Sequence, residues 1–166
     1  MALTPEQLPT FKADILANTN QVVIDALASG ANQVIADWYR QEASPQYTIY
    51  RRVVPAKEVS DAIFLENLEK ITASKSAAVL QMFQIRTFDG GEFHGHVQSD
   101  REAFDNAFSA AAGSESQVAI AALWTRFANY AEKLFTVSGS GTTIDPAVTD
   151  FEGLVSSSDV IAALNS

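Results

Sequence analysis

Cysteine is absent from this 166-residue chain, which excludes disulfides, thiolate nucleophiles and cysteine-based zinc sites. Positive charge is scarce, with 11 Lys and Arg against 20 Asp and Glu and a net charge of −9. That balance argues against nucleic acid or an anionic membrane as the main partner, since both require a basic footprint. No apolar run approaches the length of about 18 residues that reads as a membrane span. The opening MALTPEQL lacks the basic and apolar regions of a secretory signal, pointing to cytoplasmic synthesis. What remains is an ordinary globular balance, 47% hydrophobic and 19% charged. It suits one domain burying roughly two-thirds of its unfolded surface.

Helical signals dominate. Thr4-Pro5-Glu6-Gln7 reads as a helix start with a capping box, and Leu8, Phe11, Ile15 and Leu16 give it an apolar face to about Asn18. Pro9 either begins the helix proper or bends its first turn. A second short helix carries Val22, Val23, Ala26 and Leu27 and ends at Ser29-Gly30. A third covers Ala31 to Glu42. YTIYRRVV, Tyr47 to Val54, is the best strand candidate, with neither face cleanly apolar, and so an edge strand or a short extended segment. Pro55 opens a helical turn to Phe64, Leu65 to Lys70 is ambiguous, and Ser74 to Ile85 is helical. Thr87 to Gln98 is a glycine-containing loop, and a helix capped by Ser99 with Glu102 follows, ending across Ala110 to Gly113.

Gly113 to Phe135 organises the rest. Ile120, Leu123, Phe127, Tyr130 and Leu134 recur at spacings of three and four and predict one long amphipathic helix. Ser114 with Gln117 would cap it. Val137 to Thr143 then reads as a flexible Ser/Gly/Thr linker. Beyond it, Val148 to Val155 forms a short strand with Gly153 as a bulge or bend. Ser157 or Ser158 caps a last turn holding Val160, Ile161 and Leu164, which must pack on the chain's own core or on a neighbouring subunit. The expected architecture is mainly α: a helical bundle-like single domain, residues 1–136, with a small β component and an extended C-terminal arm, residues 137–166.

The candidate chemistry is sparse. His94 and His96 could hold a divalent metal if Asp89, Glu92 or Asp100 converged on them; the alternative is a solvated loop or subunit contact. Asp89-Gly90-Gly91 lacks the Lys-Ser/Thr of a phosphate loop and reads as a turn. No serine sits in a Gly-x-Ser-x-Gly elbow. Arg51 and Arg52 could meet an acidic partner or phosphate, or simply guard a solvated edge. Trp38 and Trp124 lie in helical stripes as core. No enzymatic function, cofactor or metal is assigned.

Three stretches carry a resemblance: LTPEQLPTFKADILAN, QEASPQYTIYRR and RFANYAEKLFTVSGSGTTIDPAVTDFEGLVSSSDVIAAL. They resemble a family of small proteins encoded in the structural-gene module of tailed bacteriophages, near the major capsid gene. The family's closing pattern is matched by Ala131 to Phe135, the Gly/Ser/Thr turn, Phe151 to Gly153 and Asp159-Val160. The chain departs from it at Ile63 to Lys70, which has no tryptophan, and at Phe88 to Val97. The resemblance implies a virion protein made in the bacterial cytoplasm, a homo-oligomeric ring between portal and tail that contacts portal and a tail-side connector. Neither membrane nor sequence-specific nucleic acid is implied. Its arm would meet a different face of the neighbouring copy, through Phe151, Val155, Val160, Ile161 and Leu164, with Arg51 and Arg52 as further interface candidates. The rivals are a tail or capsid-associated protein, a metal- or ligand-binding module at His94 and His96, and a small regulatory protein that binds a basic host factor.

Overall fold

The computed structural model describes residues 2–88, 91–109 and 114–166. The expected turn at Asp89-Gly90 and helix end at Ala110 to Gly113 lie outside them. The described residues are mainly α, with ten helices and small antiparallel strand pairs, as the periodicity predicts. None of these helices is long and apolar enough to cross a membrane.

Contacts divide the chain into two units, residues 1–49 with 127–166, and residues 50–126. The boundary expected at 136/137 is therefore not where the chain divides. The first unit joins both ends of the sequence. Its helices α1 (Leu8–Ala17), α2 (Gln21–Ser29) and α3 (Asn32–Tyr39) pack with the C-terminal α10 (Ser157–Asn165) around Phe11, Ile15, Val23, Ile35 and Tyr39. The helix expected to start at Thr4-Pro5 begins at Leu8 instead, after a turn in which the Gln7 side chain accepts the Thr4 N–H at 3.0 Å; Pro9 falls in the first turn of α1, where its missing N–H costs nothing. Asn20 caps α2.

The second unit contains α4 (Ala56–Asp61), α5 (Leu65–Lys70), α6 (Ala73–Phe88), α7 (Gln98–Phe108) and α8 (Ser114–Leu123). Its core is aromatic, with Phe93 5.1 Å from Phe104 and Trp124 5.8 Å from Phe104, ring centre to ring centre. YTIYRRVV is two strands rather than one. β1 (Thr48–Tyr50) stops before Arg51, and β2 (Val54–Pro55) pairs with β3 (Glu92–Phe93). The expected Ser99 cap is not used, because α7 begins at Gln98 with Val97 in the cap position, two residues earlier.

The long helix is broken. After α8 the chain runs through Trp124 into β4 (Thr125–Phe127), then restarts as α9 (Tyr130–Leu134). The break has a local cause. Asn129 accepts the Glu132 N–H while Glu132 accepts the Asn129 N–H, a capping box that begins a new helix. The stripe also serves two cores, since Ile120 and Leu123 pack in the second unit and Tyr130 and Leu134 in the first.

The Ser/Gly/Thr segment is not a free linker. β5 (Thr136–Ser138) starts it and pairs antiparallel with β6 (Val148–Thr149). The Asp145 carboxylate closes the intervening turn by accepting the Ser140 N–H at 2.8 Å.

Candidate interaction site

The closing stretch that carries the resemblance forms one buried junction in the first unit. Glu132, 1% exposed, sits in the first turn of α9. One carboxylate oxygen accepts the Asn129 N–H at 3.0 Å and the other accepts the Gly153 N–H at 2.8 Å. The Asn129 amide donates to the Gly153 carbonyl at 2.9 Å, so Gly153 is gripped on both sides. Its φ of +141° is a conformation that side-chain-bearing residues rarely adopt. The buried Thr149 hydroxyl lies 3.0 Å from the Glu132 carbonyl and 2.8 Å from that of Phe151, whose ring packs 5.7 Å from Phe135. At α10, Ser156 rather than Ser157 or Ser158 is the cap, in a capping box with Asp159. Asp159 also accepts the Leu3 N–H at 3.0 Å, which ties the beginning of the chain to α10. Burial works against its charge, but the Ser156 hydroxyl and the Ser156 and Leu3 N–H groups prevail and hold its carboxyl below the usual range.

This geometry redistributes the expected interface residues. Phe151, Val155 and Val160 are fully buried in the first unit's core and offer a partner no surface, and Leu164 packs against the same core. The last apolar set thus packs on its own chain. Ile161 remains 46% exposed, and the rest of the segment exposes Val137, Ile144 and Leu154. Arg51 is committed within its own unit, forking onto Glu58 at 2.7 and 3.2 Å and lowering that carboxyl's pKa. Arg52 is half-buried.

His94 and His96 face each other edge-on at 5.7 Å. Asp100 accepts the His94 backbone N–H at 3.0 Å, and its carboxylate lies 3.8 Å from His94 Nδ1. Among the described residues no group of three His, Asp or Glu is placed to hold a metal ion; Asp89 lies outside them. The motif's glycine has a structural role. A Cβ on Gly95 would come within 2.7 Å of both the Arg51 and the Trp124 carbonyl oxygens, where the Arg51 N–H bonds to Trp124.

Two surfaces were not visible in the sequence. On the second unit, Phe64, Leu65, Leu80 and Val118 are exposed, Leu65 by 72% and Val118 by 71%. Phe64 and Val118 line one shallow depression, Leu65 and Leu80 another, and the consecutive residues Phe64 and Leu65 link the two. On the first unit an open cleft of about 480 Å³ is lined by Asp14, Asn18, Trp38, Tyr39, Tyr130 and Lys133 among others. Trp38 stacks on Tyr130 at 4.2 Å, and Asp14 accepts the Tyr39 hydroxyl at 2.5 Å. Burial, reinforced by that carboxylate, pushes the Tyr39 phenol well above its usual range.

No protein-family model, curated protein or solved structure matches the chain.

Proposed function

We propose that this protein is a structural component of a tailed-phage virion, acting as a head-to-tail connector that assembles as a ring of identical copies. The observation that carries this reading is the exposed apolar face of the second unit, Phe64, Leu65, Leu80 and Val118. Phe64 with Val118 and Leu65 with Leu80 line two depressions, and large apolar side chains left exposed in this way mark a contact surface. Charge supports a second copy as its occupant. The second unit holds 8 Lys and Arg against 10 Asp and Glu, whereas the first holds 3 against 10. Like copies therefore repel least through the second unit. The resemblance of the AEKLF, Phe-Glu-Gly and Asp-Val segments supplies the virion setting. Their residues form an internal junction, so in this reading they preserve the scaffold that presents the contact faces.

Native mass spectrometry of the full chain, alone and with portal protein, tests the proposal. A closed oligomer or a portal complex is expected, and Leu65→Glu with Val118→Glu should reduce the oligomer to monomer with an unchanged circular dichroism spectrum. A monomer at tens of micromolar that ignores portal overturns it.

A further inference from the structure

The cleft of the first unit has the parts of a receptor for a single basic side chain. Its aromatic wall is the stacked pair Trp38 and Tyr130, both half-buried and so partly open to the cleft. Its anionic end is Asp14. The Tyr39 hydroxyl occupies Oδ2, and among the described residues nothing hydrogen-bonds to Oδ1. Asn18 donates to the Tyr39 oxygen at 3.1 Å, so the hydroxyl that holds Asp14 is itself held. One cation, Lys133, also lines the cleft, but its ammonium lies 5.3 Å over the ring of Tyr47, which is not among the lining residues. The surrounding unit carries seven net negative charges, from 3 cations and 10 anions. A field of that sign steers cations toward it.

We infer that this cleft binds an arginine side chain presented by a partner protein. The guanidinium packs against the stacked Trp38–Tyr130 pair, through the outer face of one ring, and donates to Asp14 Oδ1. Arginine fits better than lysine because a planar, weakly hydrated cation can stack and hydrogen-bond at once, whereas a compact ammonium gives up more hydration to do so. The volume, about 480 Å³, lies within the range of pockets that enclose small ligands. The inference stands on the cleft and its charge and does not depend on the connector reading.

The probe is a short acetylated, amidated peptide with one central arginine, titrated into the full-length protein and followed by the tryptophan indole N–H resonances. The chain has two tryptophans, and Trp38→Phe assigns the peaks. The arginine peptide should shift the Trp38 resonance saturably and leave that of Trp124, which is 4% exposed, in place. Replacing arginine by neutral citrulline should weaken binding about tenfold or more, as loss of a charge-assisted hydrogen bond implies. Asp14→Asn, which keeps an acceptor for Tyr39, should do the same, whereas Asp37→Asn, outside the cleft lining, should not. Equal binding of the citrulline peptide, undiminished binding by Asp14→Asn, or no saturable shift overturns the inference.

Discussion

Gly153 donates its N–H to a buried oxygen of Glu132, 2.8 Å away and 21 positions earlier in the chain. The other oxygen of the same carboxylate caps α9 through Asn129. One side chain therefore starts a helix and anchors the segment leading to α10. Glu132→Ala leaves one buried and one partly buried N–H group without this acceptor, at about 1–3 kcal/mol each. Urea unfolding should show a loss of roughly 3 kcal/mol, and Glu132→Gln, which keeps one acceptor, should lose about half of that.

Residues 137–166 supply Phe151, Val155, Val160 and Ala163 to the first unit's core. A chain ending at Thr136 should thus lose the first unit, not merely an appendage. Limited proteolysis should cut rapidly within residues 8–39 of the truncated protein while sparing them in the full chain. Equal resistance of both proteins would contradict the shared core.

Tyr39 makes the first unit sensitive to alkali. Its folded phenol pKa is raised, so above pH ~10 the unfolded chain releases a proton that the fold retains. Its contribution is complete below about pH 10 and declines as the pH rises beyond it. Tyr39→Phe should lower stability near neutrality by about 1 kcal/mol, the worth of a typical hydrogen bond. It should also flatten the fall in denaturant midpoint between pH 9 and 11, expected in the parent protein.

At the acid end the sign reverses. Asp159 has a lowered folded pKa, so its contribution is present above the unfolded value of ~3.9 and is lost as the pH falls through the folded one. Asp159→Asn should be less stable than the parent at pH 6 and closer to it near pH 3. Ser156→Ala, which removes the other half of the capping box, should cost about 1 kcal/mol.

Gly95 tests the packing of the second unit. Gly95→Ala drives a Cβ against two backbone carbonyls at 2.7 Å, which backbone cannot readily relieve. A loss of about 1–3 kcal/mol is expected. Addition of zinc should not restore it if the His94–Gly95–His96 turn is a packing element.

Much of the fold is set by chemistry local in the chain. Although the start expected at Thr4-Pro5 falls three residues early, the mainly α class, the end of α2 at Gly30 and the extended stretch after Tyr47 follow from side-chain periodicity, glycine geometry and capping chemistry. Those act over one or two turns. The same local rules predict one helix over Gly113 to Phe135, where the chain forms α8, β4 and α9. Periodicity reports that a side chain is buried and is silent about which core buries it, and a new cap at Asn129 lies within the same spacing. The tail shows the other limit. Glycine and serine next to an acidic stretch describe a free arm as well as a tight β-turn. The difference lies in partners such as Glu132 for Gly153 and Leu3 for Asp159, 156 positions away. Composition by itself determined the charge and the absence of cysteine chemistry. The tertiary structure decided that both ends of the chain share one core, and which apolar and aromatic side chains were left facing outward, because those outcomes depend on contacts between residues far apart in the chain.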